Sequence, residues 1–349
     1  MTWSALQASR ILWGLLVTRL VPPGAALVLG ADDTVERRRG RQSTAHGGAR
    51  AAGRSTQQHG MRGVGLTWVV MRLVVPGPWA RRVWARPCLP ALGRPADPGR
   101  RRRPKTRVDG VRQMRPHVRR WLPGRTLVLG VAGGLAAVAL ALAWGKRQVP
   151  RVSRLRWDAA LSQRPGPHPP GTRGPNPWPG NRQRRVQGWA ERPDPPGETG
   201  AGDWSGDQRR PPWGFSHTAL GHTPGVSPVE RCVGIGCAPA GTRRLDAWCC
   251  PDLPATPGPS LAWVVRRWSG EVTGEEGRAQ LGFEPQRHGS AQARARTTPV
   301  LWALGRRHRW RARSGVHSPP GAASRPWPQE ALARLIPGLP RAASWAKAA

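Results

Sequence analysis

The stretch AALVLGADDTVERRRGR, residues 25–41, joins a short apolar run to a pair of acids and a basic segment. Ala25–Gly30 has the composition of a short buried β-strand, which would deliver Asp32 and Asp33 at its C-terminal end. An Asp-Asp pair at such a position is, taken alone, more often an ordinary turn than a metal site. Its meaning therefore depends on the rest of the chain.

The composition is strongly basic. The 349 residues include 56 Lys and Arg against 19 Asp and Glu, which gives a formal net charge of +37. Such a balance indicates a polyanionic partner, nucleic acid first and an anionic membrane surface second. A GC-rich coding sequence explains the same excess of Arg, Gly and Pro without any function. The 39 Pro, 44 Gly and absent Tyr also fit a chain that has drifted from a folded ancestor.

An apolar run, Leu127–Trp144, is the longest hydrophobic segment. Its length just reaches that of a membrane span. Gly133 and Gly134 interrupt it, so a buried strand over Thr126–Val131 and a helix over Leu135–Trp144 explain it as well. We favour the strand and helix, and keep a basic membrane protein anchored by residues 127–144 as an alternative.

Other segments complete an α/β pattern, with large irregular or disordered portions. We expect a strand at Leu66–Val75, a Pro/Arg linker at Pro87–Lys105, a helix at Val111–Leu122 despite Pro116, and a strand at Val149–Leu161. We expect Ser162–Pro212 to be mostly irregular, Thr218–Pro259 to hold a few short strands, and Ser260–Leu281 to form a helix.

Three blocks in this order resemble DDE transposases of bacterial insertion sequences: ADDTVERRRGR (31–41), RWLPGRTLVLGVAGGLAAVALAL (120–142) and LAWVVRRWSGEVTGEEGRAQLGFEPQR (261–287). The resemblance runs in blocks from about Leu27 to Pro299. It implies a partial RNase H-like domain with a long insertion before the last catalytic helix. It also implies metal-dependent phosphodiester cleavage and strand transfer during DNA transposition.

The family's active site consists of three acids. Asp32 matches the first, and Glu271 matches the last, which lies on a helix between Arg267 and Arg278. Spacings of four and seven place these three side chains on one helix face, although an ordinary solvated helix has the same pattern. The position of the second acid is Ala132, and the chain has no Asp or Glu from Gly110 to Trp157.

The resemblance also implies the ligands. Asp32 and Glu271 would bind Mg²⁺, which prefers carboxylate oxygens. DNA would be the partner, with no small-molecule substrate and no membrane, and its phosphates would contact Arg37, Arg38, Arg39, Arg267 and Arg278. We therefore predict a degenerate transposase, cytoplasmic and nucleoid-associated if folded, whose catalysis is impaired by Ala132. The alternative is a non-functional or mistranslated reading frame without a stable fold.

The predicted organisation has five parts. Residues 1–24 form an N-terminal segment, which we expect to be truncated because it shows no DNA-binding domain. Residues 25–161 form the first part of the RNase H-like core, and 162–259 a mostly irregular insertion. Residues 260–305 hold the catalytic helix and the end of the core, and 306–349 a basic disordered tail.

Overall fold

The computed structural model describes residues 5–37, 47–50, 62–76, 83–95, 103–145, 149–168, 170–171, 173–174, 179–191, 214–223, 226–237, 245–251, 263 and 266. The chain divides into two compact units. The first comprises residues 1–125 with 269–349, and the second comprises residues 126–268.

The described residues of the first unit form two helices and four strands. In chain order these are α1 (Ala5–Leu20), β1 (Leu27–Arg37), β2 (Gly47–Arg50), β3 (Arg62–Pro76), β4 (Val83–Leu92) and α2 (Arg107–Trp121). The core contains buried side chains from each helix and from the three longer strands, including Leu16, Leu29, Val70, Leu73, Ala85, Val111, Met114 and Val118.

Strand β3 is the centre of this unit. It pairs antiparallel with β1, from Val28 opposite Val74 to Arg37 opposite Gly65. Strands β2 and β4 pair antiparallel with β3 along the other edge. Both helices contact β3 and β4. Gly110 of α2 is buried, and a Cβ on it would lie 3.6 Å from the Val69 side chain, so α2 covers the face of β3 that carries Val69.

The expected strand at Ala25–Gly30 was too short. Strand β1 continues to Arg37, so Asp32 and Asp33 lie in the middle of a strand and not at its end. The reason is β3, which is 15 residues long and gives backbone partners to β1 as far as Gly65. A pattern of local hydrophobicity cannot show that a polar segment has such a partner.

The expected Pro/Arg linker at Pro87–Lys105 was also wrong in its first part. Residues up to Leu92 belong to β4, which pairs with β3 alone among the described strands. Proline is tolerated on such an edge because the N–H it lacks would point away from the sheet. The register shifts beside Pro87, with Arg72 opposite Pro87 and Met71 opposite Leu89, which leaves Cys88 as the extra residue of a bulge.

In the second unit, the part of the chain that the structure describes forms two more α-helices and six more strands. They are β5 (Leu127–Val131), α3 (Val138–Gly145), β6 (Arg151–Arg154), β7 (Leu161–Ser162), α4 (Val186–Ala190), β8 (Gly214–Thr223), β9 (Val226–Cys237) and β10 (Leu245–Cys250). Strand β5 pairs parallel with β6, and α3 connects them. The sheet continues from β6 through β10, β9 and β8 to β7, each pair antiparallel.

The apolar run is a strand followed by a helix, as expected. Strand β5 is buried, a short 3-10 turn over Gly133–Leu135 follows, and α3 has only eight residues. Within the described part of the chain, no helix is long and apolar enough to cross a membrane.

The expected strand at Val149–Leu161 is broken. Strand β6 ends at Arg154 and β7 begins at Leu161, with a turn at Trp157 and Asp158 between them. The later strands are longer than expected, since β8 and β9 have ten and twelve residues. The helix expected at Ser260–Leu281 lies outside the described residues except for Trp263 and Arg266, which are helical.

The architecture is mixed α/β with strands predominant, which confirms the fold class. In chain order β1, β3, α2, β5, α3 and β6 follow the predicted sequence of strand, strand, helix, strand, helix and strand, with β2 and β4 as additional strands. The five-part division of the chain stays a prediction.

Candidate functional site

Asp32 is the residue expected to provide the first acid, and it lies half-buried in β1. Its Oδ1 accepts a hydrogen bond of 2.8 Å from the backbone N–H of Asp33. Its Oδ2 lies 3.7 Å from Nη1 of Arg72, whose side chain is 6% exposed. Arg72 lies opposite Gly30, two residues from the partner of Asp32, so both side chains are on one face of the β1–β3 pair. A buried guanidinium therefore stands beside the candidate carboxylate.

Asp33 has a different environment, because neighbouring residues of a strand point to opposite faces. Its Oδ2 accepts a hydrogen bond of 2.7 Å from Nη1 of Arg107, the first residue of α2. The Asp33 side chain is 13% exposed and the Arg107 side chain is 42% exposed, so the carboxylate is the buried partner of this ion pair. Asp33 therefore fixes the start of α2 to β1, and Asp32 stays the better candidate for a metal ligand.

The start of α2 is also fixed by a capping box. The N–H of Asp109 donates to Oγ1 of Thr106 at 3.1 Å, and the N–H of Thr106 donates to Oδ2 of Asp109 at 3.0 Å. The Thr106 hydroxyl donates a further hydrogen bond of 2.6 Å to the same carboxylate. This hydrogen bond is the main cause that lowers the pKa of Asp109. These bonds satisfy orphan N–H groups at the helix start. They hold Arg107 where it reaches Asp33.

Ala132, the position expected to carry the second acid, follows β5 directly. It is half-buried in extended conformation, with φ −64° and ψ 155°, at the start of the 3-10 turn. Its carbonyl oxygen accepts a hydrogen bond of 2.8 Å from the N–H of Leu135. The methyl side chain offers no metal ligand, and the backbone oxygen is already engaged by the turn.

Most of the remaining expected site residues lie outside the described part of the chain. These are Glu271, Arg38, Arg39, Arg267 and Arg278. Arg37 is the last residue of β1 and pairs with Gly65 through its backbone. The convergence of Asp32 with Glu271 therefore stays a prediction.

Metal binding can be tested against the described residues alone. They contain no group of three or more His, Cys, Asp or Glu side chains placed to hold one metal ion. Oδ2 of Asp32 lies 3.7 Å from the guanidinium of Arg72, which is a cation and not a second carboxylate. The described residues by themselves therefore do not form a divalent-metal site.

Sequence reasoning missed both arginines that face the acids. Arg72 has a visible signal, because it is the single charged residue in the apolar segment LTWVVMRLVVP, residues 66–76. A charge inside a buried strand needs a partner, and the nearby strand with two acids was an available one. Arg107 has no comparable signal, because its partner is 74 residues away in the sequence.

Comparison with protein families identifies the chain. Residues 1–204 match the model of the DDE superfamily endonuclease family. The matched range includes β1, β5 and Ala132. The chain belongs to this family. The match confirms, for more than half of the chain, the resemblance found in its sequence blocks. DDE superfamily endonucleases generally use divalent metal ions.

The other comparisons add little to this assignment. No curated protein matches the sequence. Among solved structures, the chain is similar to one described as a piggyBac transposase synaptic complex with hairpin DNA, at 9% identity and a TM-score of 0.37. That alignment covers 97% of this chain and 63% of the other. A TM-score this low does not establish a common fold.

Proposed function

We propose that this chain is a transposase-type DNA-binding protein of the DDE superfamily in which strand cleavage and transfer are impaired. The observation that carries the proposal is Ala132. It directly follows a buried strand in the region matched by the family, at the place where the sequence blocks align the second acid.

The chemistry explains why one missing acid matters. Two divalent ions, here Mg²⁺, would activate the attacking oxygen and stabilise the leaving oxygen of a phosphodiester. The protein has to supply negatively charged oxygen ligands for them. Asp32 and Glu271 would supply two carboxylates, and Ala132 supplies none. The Arg72 guanidinium, 3.7 Å from Asp32, further reduces the negative charge of the proposed site.

DNA binding requires no metal site and would survive this loss. The net charge of +37 favours a polyanion. The basic segments that belong to the sequence resemblance are the proposed phosphate contacts, namely Arg37, Arg38, Arg39, Arg267 and Arg278. We propose a cytoplasmic protein that associates with the nucleoid through such contacts.

Nicking of supercoiled plasmid in Mg²⁺ or Mn²⁺ tests the catalytic part of the proposal. We expect the natural chain to give no nicking above background, and Ala132→Asp to give measurable nicking. The extended backbone at Ala132 accommodates an aspartate without strain. Ala132→Asn is the matched control, because it has the same size and lacks the charge.

A second substitution shows whether recovered nicking arises at the proposed site. Asp32→Asn added to Ala132→Asp should abolish the nicking. Robust cleavage by the natural chain that Asp32→Asn removes would disprove the impairment. Equal nicking by Ala132→Asp and Ala132→Asn would show that position 132 does not bind metal.

A further inference from the structure

The sheet of the second unit carries two arginines in its core. Arg151 in β6 is 1% exposed, and Arg231 in β9 is 3% exposed. Cys249 of β10 lies between the two strands, opposite Ser153 of β6 and opposite Val233 of β9. Arg151 precedes Ser153 by two residues, and Arg231 precedes Val233 by two residues. Because side chains alternate along a strand, both arginines are on the face that carries Cys249. Two cations therefore lie close together inside the protein.

Most nitrogens of the two guanidinium groups lack acceptors among the described residues. Arg231 donates from Nη1 to Sγ of Cys249 at 3.7 Å, and Oγ of Ser153 lies 3.0 Å from the same sulfur. Nε, Nη1 and Nη2 of Arg151, and Nε and Nη2 of Arg231, are buried without a hydrogen-bond partner. In the described part of the chain, neither arginine forms a salt bridge with a carboxylate. Among the described residues, five buried guanidinium nitrogens on this face of the sheet thus have no acceptor.

The positive charge remains at neutral pH. Burial is the main cause that lowers the pKa of Arg151 to about 10, and the charge of Arg231 acts in the same direction. A group with a pKa of about 10 is still protonated at pH 7. Buried like charges without compensation are strongly unfavourable, and proteins normally balance them with an opposite charge.

The backbone leaves room for one of these groups. A Cβ on Gly221 of β8 would lie 2.4 Å from Nε and 2.6 Å from Nη2 of Arg231. Glycine at this position therefore allows the planar guanidinium to lie flat against the strand. Any larger residue at position 221 would displace Arg231.

We propose that Arg151, Arg231 and Ser153 bind a small inorganic anion, such as chloride or phosphate, in the core of the second unit. The planar N–H groups of arginine suit an anion, and the Ser153 hydroxyl adds a further donor. The phosphates of DNA are excluded, because a polymer backbone cannot reach side chains that are 1% and 3% exposed.

Thermal unfolding of the full chain tests this site. Its Tm would be measured in increasing sodium chloride and in sodium phosphate, with sodium gluconate keeping the ionic strength constant. An anion that binds the folded state alone raises the Tm in a saturable manner, here by about a few degrees. Gluconate, a larger organic anion, serves as the reference, and comparison of the other two salts distinguishes chloride from phosphate.

Substitutions locate the effect. Arg151→Met and Arg231→Met remove the donors and the charge, so the anion-dependent rise in Tm should disappear. Arg156→Met is the matched control, because Arg156 is an exposed arginine of the same unit, with a side chain 71% exposed, and this variant should respond like the natural chain. An equal Tm in all three salts, or an unchanged response in Arg151→Met, would overturn the proposal.

A direct measurement covers the case in which these variants do not fold. Chloride bound to the natural protein broadens the ³⁵Cl NMR line, and phosphate should reverse the broadening by competition. Arg151→Lys keeps the charge with fewer donors and should weaken this broadening. Absence of excess broadening in the natural protein, together with no effect of phosphate on its Tm, would also overturn the proposal.

Discussion

At the scale of single residues, Asp32 and Asp33 of β1 each face an arginine from another element. Asp32 lies beside Arg72 of β3, and Asp33 is hydrogen-bonded to Arg107 of α2. A metal ion at Asp32 would therefore compete with a cation that the fold already provides.

The Asp33–Arg107 pair should contribute measurably to stability. We expect a double-mutant cycle with Asp33→Asn and Arg107→Gln to give a coupling energy of about 0.5–1 kcal/mol in urea unfolding. The Arg107 side chain is 42% exposed, and screening by water limits the coupling energy. The pair Arg156–Asp158 is the control and should give a smaller coupling, because its side chains are 71% and 57% exposed. Equal couplings would mean that burial of Asp33 has no effect.

Gly234 is a position where no side chain fits. It lies opposite Trp248 in the β9–β10 pair, and a Cβ there would lie 2.3 Å from Cε2 of the indole. We expect Gly234→Ala to lower the free energy of unfolding by about 1–3 kcal/mol through overpacking. Gly145→Ala is the control, because nothing lies within 4 Å of its added Cβ. Similar effects of the two substitutions on urea unfolding would contradict the packing.

At the scale of elements, α2 combines a strong start with a weak interior. Thr106 and Asp109 form the capping box, and Val111, Met114 and Val118 bury one face. Pro116 lies inside the helix and is exposed. Its ring removes one backbone hydrogen bond and crowds the preceding turn. Packing of the apolar face therefore maintains a helix that local preference would interrupt.

Replacement of Pro116 should stabilise the protein. We expect Pro116→Ala to raise the free energy of unfolding by up to about 3 kcal/mol, because the missing backbone bond is restored and no buried contact is lost. Pro123→Ala is the control, because Pro123 is exposed and follows α2. A loss of stability in Pro116→Ala, measured by thermal unfolding, would show that the proline has a structural role here.

The capping box should make stability depend on pH. We expect Thr106→Ala to cost about 1 kcal/mol at pH 7. The pKa of Asp109 is lowered in the folded state, so its contribution is present above the ordinary carboxyl value of about 4 and is lost as the pH falls further. The difference in the free energy of unfolding between Thr106→Ala and the natural chain should therefore be smaller at pH 3 than at pH 7. Thr126→Ala, at an exposed threonine outside any helix, should show no such trend.

At the scale of the whole molecule, the excess of positive charge governs association with other molecules. A net charge of +37 attracts polyanions over a distance set by the salt concentration. It carries no information about the sequence of a DNA target, because phosphate contacts are the same in every duplex.

Binding to duplex DNA should consequently be strong at low salt and weak in sequence preference. With six to ten phosphate contacts, affinity should fall by about 10³–10⁵ between 50 and 200 mM salt, as measured by fluorescence anisotropy. Replacement of Arg37, Arg38 and Arg39 by Gln should lower the salt slope by about two to three units. The control replaces Arg182, Arg184 and Arg185, which are exposed and equally charged. Equal slopes in the two variants would remove the proposed role of residues 37–39.

The sequence by itself determined the family and the elements whose signals are local. The block order identified DDE relatives, and the apolar run gave β5 and α3, because hydrophobic length and spacing act within one segment. The spacing of Val111, Met114 and Val118 likewise predicted the buried face of α2. The assignment of Ala132 to the position of the second acid rests on the alignment of the blocks alone and stays a prediction.

Only the tertiary structure decided which segments pair and which charges meet. Strand β1 extends through Asp32 and Asp33 because β3 offers backbone partners, and β4 forms despite two prolines because it pairs along one edge. Arg107 reaches Asp33 across 74 residues, and Arg151 and Arg231 meet on one face of a sheet. Such contacts depend on register and on burial, and neither quantity is encoded in any single segment.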